Sequence, residues 1–424
     1  MYLAMFRDNV VLVLDINMIP GLVSDRTKFP KRKTLHKAFA SIGGYRALGP
    51  HNILTDPGSD LWAAKRRIMD PAFNRSFLRS AMLGMNLVTD NLVHKLRNHA
   101  DSEQICDISE KLDISAMEAI SICGFNWTED LLKEHSEAVM RMVRTMAECM
   151  ILPFKYPLTY NLPWAHRASK RYFREAVAPI REIMSKHLTE EIGAGVPEGT
   201  ILSRIVQSNA CSDVLGFENL VDEYALFLLA GSETTSIASA CVVWHLTRNP
   251  DVYKLVTEEV DRVFGEKTEI GFDEMNKLTY LEMVIKESMR LKPAVTSTGR
   301  QCKQDSVVGG VVLPKGTGVV IPYGVLHTDP RYWKDPETFD PERFSRENKG
   351  NIVPYTYMPF STGQRSCVGK NFAMLEMKVV LSRVIREFEL ANPDPEDTSD
   401  IELVGNITVR PKNGIKVRIS VRGM

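Results

Sequence analysis

Cysteine is scarce in this 424-residue sequence and never paired at short spacing: Cys106, Cys123, Cys149, Cys211, Cys241, Cys302 and Cys367 are scattered, with no C-x-x-C. An odd, dispersed set excludes a disulfide framework and a cysteine-rich zinc site, and it indicates a reducing compartment. Net charge is also missing. Fifty-three Lys and Arg balance 53 Asp and Glu, with no basic stripe interleaved with aromatics, so the chain carries no field of the kind that attracts nucleic acid. The opening MYLAMFRDNVVLVLDINMIPG is broken by Arg7, Asp8, Asn9, Asp15 and Asn17. It is neither a signal peptide nor a membrane span, which needs roughly 18 consecutive apolar residues. No repeat, low-complexity tract or dividing linker is present, and no G-x-G-x-x-G nucleotide fingerprint follows a strand.

What remains is a globular composition, 44% apolar, long enough to bury an extensive core. Helical periodicity predicts helices near 59–70, 76–100, 109–123, 131–150, 166–192, 217–248, 250–264, 277–291 and 369–388. Asn249-Pro250 and Pro293 mark boundaries. Strand signals are fewer: 10–14, a hairpin around Pro314-Lys315-Gly316 within 306–321, and a C-terminal pair near 402–409 and 414–420. The expected fold class is mainly α, a helical single domain with small peripheral β-sheets.

Three stretches are chemically unusual. The segment 217–250 is apolar on nearly every face, yet its middle reads AGSETT, residues 230–235. Desolvating a charge there is costly. One reading has Thr234 and Thr235 bonding back to preceding carbonyls while Glu233 reaches a solvated edge. The other has Gly231 admitting a close approach while Glu233 and Thr234 handle protons in a dry site. Glu287 and Arg290, three apart on a helix, form a common pair, and Arg343 in the proline-marked FDPERF stretch could complete a Glu-Arg-Arg lock.

The third stretch is PFSTGQRSCVGKNFA, residues 359–373. It sets Cys367 at the start of an apolar helix, where the macrodipole and free amides favour a thiolate. Gly363 and Gly369 remove side chains on both sides, as a large flat group lying against the backbone requires. Arg365 offers a fork for a carboxylate. A buried thiol, half a disulfide, a nucleophile and a metal ligand are the four readings of Cys367. No histidine follows His327, which disfavours a nucleophile with a nearby base without excluding a distant one. A single thiolate facing a flat dicarboxylate fits haem.

Together these residues resemble the cytochrome P450 superfamily of haem-thiolate monooxygenases. F-x-x-G-x-R-x-C-x-G occurs as Phe360, Gly363, Arg365, Cys367 and Gly369; A-G-x-E-T-T as Ala230 to Thr235; E-x-x-R as Glu287 and Arg290; P-E-R-F as Pro341 to Phe344. The resemblance implies the cytochrome P450 fold, haem b with Cys367 as axial iron ligand, and Phe360 shielding the sulfur. It implies that Glu233 and Thr234 deliver protons for dioxygen activation, beside a groove formed at Ala230 and Gly231. It assigns the haem propionates to Arg365, Trp62, Arg66 and Arg300.

The same resemblance implies insertion of one oxygen atom from dioxygen into a C–H bond, with electrons from NADPH through a separate cytochrome P450 reductase. Lys65, Arg67 and Lys370 are candidate docking charges. Within the microsomal branch, residues 355–380 look most like the cholesterol 24-hydroxylase family, which implies a lipophilic substrate of sterol or fatty type. The segments 33–56, 226–229, 294–299 and the turn near Asn406 would choose it. The expected form is a monomeric catalytic domain over 1–424 without the N-terminal anchor and hinge of microsomal members. Its expected place is the cytosolic face of the endoplasmic reticulum membrane, with peripheral contact through 150–164. Two alternatives stand beside this reading: a haem-containing lipophile carrier or inactive fragment, and a reductase-independent enzyme of the same fold that rearranges peroxides.

Overall fold

The longest apolar run becomes the axis of the molecule. Phe217–Leu246 forms a 30-residue helix whose side chains are buried along almost its whole length. By length and composition it could cross a membrane, but 83% of its apolar window is buried inside the protein, the pattern of a core helix. The computed structural model describes residues 2–5, 8–32, 52–100, 104–155, 163–208, 214–405 and 408–423.

Around this axis pack the helices Asp60–Ala72, Arg75–Ala100, Ile108–Phe125, Glu129–Lys155, Pro163–Ala194, Pro250–Phe264, Thr279–Leu291 and Lys370–Glu387, so each expected long helix is present within a few residues. Local chemistry sets their ends. Ser59 accepts from the Trp62 amide and Asp107 from the Ser109 amide as N-caps. Asn126 stops Ile108–Phe125 in the left-handed region, and Pro250 opens Pro250–Phe264 at its first position. Short helices at Ile19–Ser24, Ile201–Val206, Phe272–Met275 and Tyr323–His327 were not legible, being too short to show a period.

The strands are peripheral. One four-stranded sheet has the order Tyr2–Met5, Asp8–Leu12, Gly318–Ile321, Thr298–Gln301; Val10 pairs with Gly318 in parallel, and Arg300 with Val319 antiparallel. The hairpin within 306–321 turns at Gly309-Gly310, where both φ angles are positive, and joins Ser306–Val308 to Val311–Leu313. Pro314-Lys315-Gly316 is instead a connection out of the hairpin, because a Gly-Gly pair suits a two-residue hairpin turn. The C-terminal segments also pair differently than expected. Leu403–Gly405 pairs with Val409–Pro411, while Lys416–Val421 lies between Phe388–Ala391 and Cys106–Asp107.

The Glu-Arg-Arg lock forms. Arg290 donates to both oxygens of Glu287 at 2.7 and 2.8 Å and to the carbonyls of His327, Pro336 and Thr338; Arg343 Nε stands 3.4 Å from Glu287. Glu287 and Arg290 have no solvent exposure. A buried pair persists when its remaining donors and acceptors are satisfied, and here backbone carbonyls do that, pinning the 335–345 region. Lys65 is likewise buried and paired with Glu223 at 3.0 Å, so it is not a surface docking charge. Most of the substrate segment 33–56, the centre of 150–164 and the turn at Asn406 lie outside the described residues.

Candidate active site

The loop before Lys370–Glu387 is held in a strained path. Ser361 and Gly363 have φ of 59° and 69°, and a side chain at Gly363 would meet the Val23 carbonyl at 2.8 Å. The demand for glycine there comes from the helix Ile19–Ser24 as well as from the turn. Gly369 is roomier, its nearest neighbours being Phe73 at 3.8 Å and Cys367 Sγ at 4.0 Å. The Cys367 amide donates to the Phe360 carbonyl at 2.9 Å, closing the loop so that Phe360 flanks the cysteine.

Cys367 is exposed at the surface of the loop, with protein packed densely on its other sides. Burial pushes the thiol up; the amides of Gly369 and Lys370 and the charges of Arg66 and Lys370 oppose that without overcoming it. The expected stabilisation at the helix N-terminus is therefore present but outweighed. Such a sulfur is a poor free nucleophile, whereas a bound metal cation deprotonates a coordinating thiol outright.

Beside it lies a shelf of cations. Arg365 donates to the Asp56 carbonyl at 2.8 Å and stacks on Trp62 with its guanidinium carbon 3.7 Å from the ring centroid. The Trp62 N–H donates to the Ile53 carbonyl at 3.0 Å. Arg66 bonds the Ser366 carbonyl at 3.0 Å and pairs with Asp70 at 2.7 Å. Arg300 is 2% exposed and, among the described residues, its side chain donates to Thr298 Oγ1 and the Gly299 carbonyl. Lys31, absent from the sequence reading, donates to the Leu54 carbonyl at 2.8 Å and bridges to Arg300 through its backbone. Burial and the neighbouring positive charges of Arg365 and Arg300 hold Lys31 well below its ordinary value; burial and Arg300 bring Arg365 down to about 9. The only available hint was the basic run Lys31-Arg32-Lys33.

Buried nitrogens of this shelf are unpartnered among the described residues: Arg300 Nη2, Arg365 Nε and Arg66 Nε. Buried donors left unmade cost about 1–3 kcal/mol each, so a dianionic ligand suits this set. The side chains present fit the two carboxylates and the iron of haem.

The central helix supplies the remaining site residues. A side chain at Gly231 would meet Ile120 Cγ1 at 2.9 Å, so its missing side chain serves the contact with Ile108–Phe125. Ala230 is partly buried against the core, and its carbonyl accepts from Thr234 Oγ1 at 2.8 Å. Glu233 is buried; burial raises its pKa against the pull of Arg410 and a Thr408 hydrogen bond, with Asp113 adding to the rise. Of the two readings of AGSETT, the threonine back-bond holds at Thr234, but Glu233 does not reach a solvated edge. Phe227 on this helix packs on Phe73, 5.8 Å between centroids, and Phe73 adjoins Gly369, so the central helix and the cysteine loop share one wall.

Fold and donor set together define a haem-thiolate site. The family model described as cytochrome P450 matches residues 1–418, and the chain belongs to that family. It is similar to cytochrome P450 3A29 of Sus scrofa, 29% identical over 434 residues covering 98% of this chain and 83% of that protein. It is also 29% identical to cytochrome P450 3A9 of Rattus norvegicus, over 92% of this chain and 81% of that one. Its fold matches the crystal structure of the cytochrome P450DA heme domain with a TM-score of 0.85 and 24% identity, covering 100% of this chain and 88% of that chain. Members of the family are monooxygenases that use haem b and electrons from a redox partner.

Proposed function

We propose that this chain inserts one oxygen atom of dioxygen into a C–H bond of a lipophilic substrate, drawing electrons from NADPH through a separate cytochrome P450 reductase. The observation that carries the reading is the pairing of Cys367, its amide tied to Phe360, with a cationic shelf in which Arg300 Nη2, Arg365 Nε and Arg66 Nε are unpartnered among the described residues. Cys367 ligates the iron. Arg300, Arg365 and Lys31 hold the propionates, with Arg66 bracing the loop at Ser366 and Trp62 supporting Arg365. Bound there, haem b supplies dioxygen activation, the thiolate pushing electron density to favour O–O cleavage as it does throughout this family.

Glu233 stores a proton in a buried setting, and Thr234 Oγ1, turned to the Ala230 carbonyl, passes it inward. The helix at Ala230 and Gly231 borders the reacting space. The substrate is of sterol or fatty type: 294–299, half-buried, carries no charged residue to meet a carboxylate. The relatives named above are 3A cytochromes, so the likeness to cholesterol 24-hydroxylase rests on residues 355–380 alone. A monomeric single domain, working at the cytosolic face of the endoplasmic reticulum with peripheral membrane contact, completes the proposal.

The test is the spectrum of the reduced, carbon monoxide-bound protein, followed by turnover with NADPH and reductase. A long-wavelength Soret band that Cys367→Ala abolishes is expected. Thr234→Ala should keep that band yet consume NADPH without matching product; tight coupling in that variant would sink its proton role. Turnover of a peroxide without reductase would favour the rearranging enzymes instead.

A further inference from the structure

Glu233 borders a polar seam that leads to the surface. It shares an inner cavity of about 10 Å³ with Asp113, Arg144, Ser232 and Arg410, the space of roughly one water molecule. Asp113, Arg144 and Arg410 also line a second, open cavity of about 280 Å³, whose rim includes Glu110 and Lys412. The two cavities therefore share one wall, and Asp113 is the carboxylate in it. Arg410 Nη2 lies 3.0 and 3.3 Å from the two Asp113 oxygens. Ser236 Oγ lies 2.6 Å from Asp113 Oδ1 and 3.1 Å from the Glu233 carbonyl.

We propose that Asp113 is the station through which protons from solvent reach Glu233, with Arg410 as the latch that returns it to the ionised state. Water in the open cavity gives a proton to the Asp113 carboxylate, loosening its contact with Arg410. Asp113 then releases a proton to water in the inner cavity, which passes one to the Glu233 carboxylate, and Arg410 pairs with Asp113 again. At each station one proton arrives and one leaves, and no electrons move. The groups facing Glu233 are Arg410, Thr408 and Asp113, with Arg144 across the inner cavity. Thr408 also bridges to Val295 and Val409 donates to the Ala294 carbonyl, so the strand that carries the latch touches the segment expected to meet substrate.

The proposal rests on Glu233 being the acid that supplies protons, and the experiment separates the two. Ferric, haem-loaded protein is mixed rapidly from H₂O into D₂O, without turnover. The infrared carboxyl band lost in Glu233→Gln is then followed as it shifts. Asp113→Asn should slow that shift by about tenfold or more, in keeping with the size of positioned acid–base effects, without moving the starting band. Arg410→Gln, which keeps the carboxylate but removes the group that re-ionises it, should slow the shift by clearly less than Asp113→Asn does. Val143→Leu, which fills the inner cavity and leaves the ion pair in place, should also slow it and serves if Asp113→Asn does not fold. Wild-type exchange in Asp113→Asn, or equal slowing in Asp113→Asn and Arg410→Gln, overturns the seam and leaves a purely structural ion pair. Glu233→Gln with undiminished coupling of NADPH to product removes the parent reading instead.

Discussion

Arg365 sits over Trp62, its guanidinium carbon 3.7 Å from the ring centroid, while the indole N–H is turned away to the Ile53 carbonyl. In this arrangement Trp62 is a platform for Arg365, and its N–H is committed to a backbone carbonyl. Trp62→Phe should lose about 1 kcal/mol, the worth of one hydrogen bond, and retain haem nearly as well as the parent. Trp62→Ala should cost about 3–5 kcal/mol and release haem faster. Urea midpoints and the rate of haem transfer to a scavenger protein distinguish the platform from a direct donor, for which both variants would lose haem alike.

Arg300 is buried with Nη2 unpartnered among the described residues. Without haem, that is a cost to folding. Arg300→Leu should therefore stabilise the haem-free chain by about 1–3 kcal/mol, the penalty of an unmade buried donor, while speeding haem loss from the loaded protein. Opposite signs in the two measurements are the expected outcome; destabilisation in both would mean the arginine serves the fold.

Gly231→Ala would drive a methyl to 2.9 Å from Ile120 Cγ1. Overpacking of this kind costs about 1–3 kcal/mol. Combining it with Ile120→Ala, which removes the opposing atoms, should give a double variant less destabilised than the sum of the two changes, a coupling read from a thermodynamic cycle.

His245 is buried, its Nδ1 2.8 Å from the Cys241 carbonyl and its ring stacked on Phe339 at 4.3 Å. Burial brings its pKa down to about 3, below the roughly 6.5 of an unfolded histidine. Between those values the unfolded chain binds the extra proton, so this contribution is complete above about pH 6.5 and is lost as pH falls towards 3, by about 1.4 kcal/mol per unit. His327 acts with the same sign. Denaturation of His245→Asn between pH 6 and 4 should show a pH slope shallower by that one-histidine amount.

Much of this was legible because it is local. The apolar period of Phe217–Leu246, the proline at the start of Pro250–Phe264 and the spacing of Glu287 and Arg290 are properties of a few adjacent residues. The cysteine loop was legible for the same reason, its glycines and arginine lying within ten residues. Strand partners were not, since Lys416–Val421 chooses Phe388–Ala391 and Cys106–Asp107 by how a sheet edge packs on helices. Lys65 shows the limit for single side chains: nothing beside it in the chain announces Glu223, 158 residues away.

By itself, the sequence determined the helical class, the order of the long helices and the Glu287–Arg290 lock, because spacing along a helix or loop decides which groups face together. Only the tertiary structure decided that Lys31 joins Arg300 and Arg365, that Trp62 supports Arg365 while its N–H goes to the Ile53 carbonyl, and that Glu233 faces Asp113 and Arg410. Those relationships depend on which surfaces meet when distant segments bury their apolar faces, and desolvation and charge act through that geometry, not through distance along the chain.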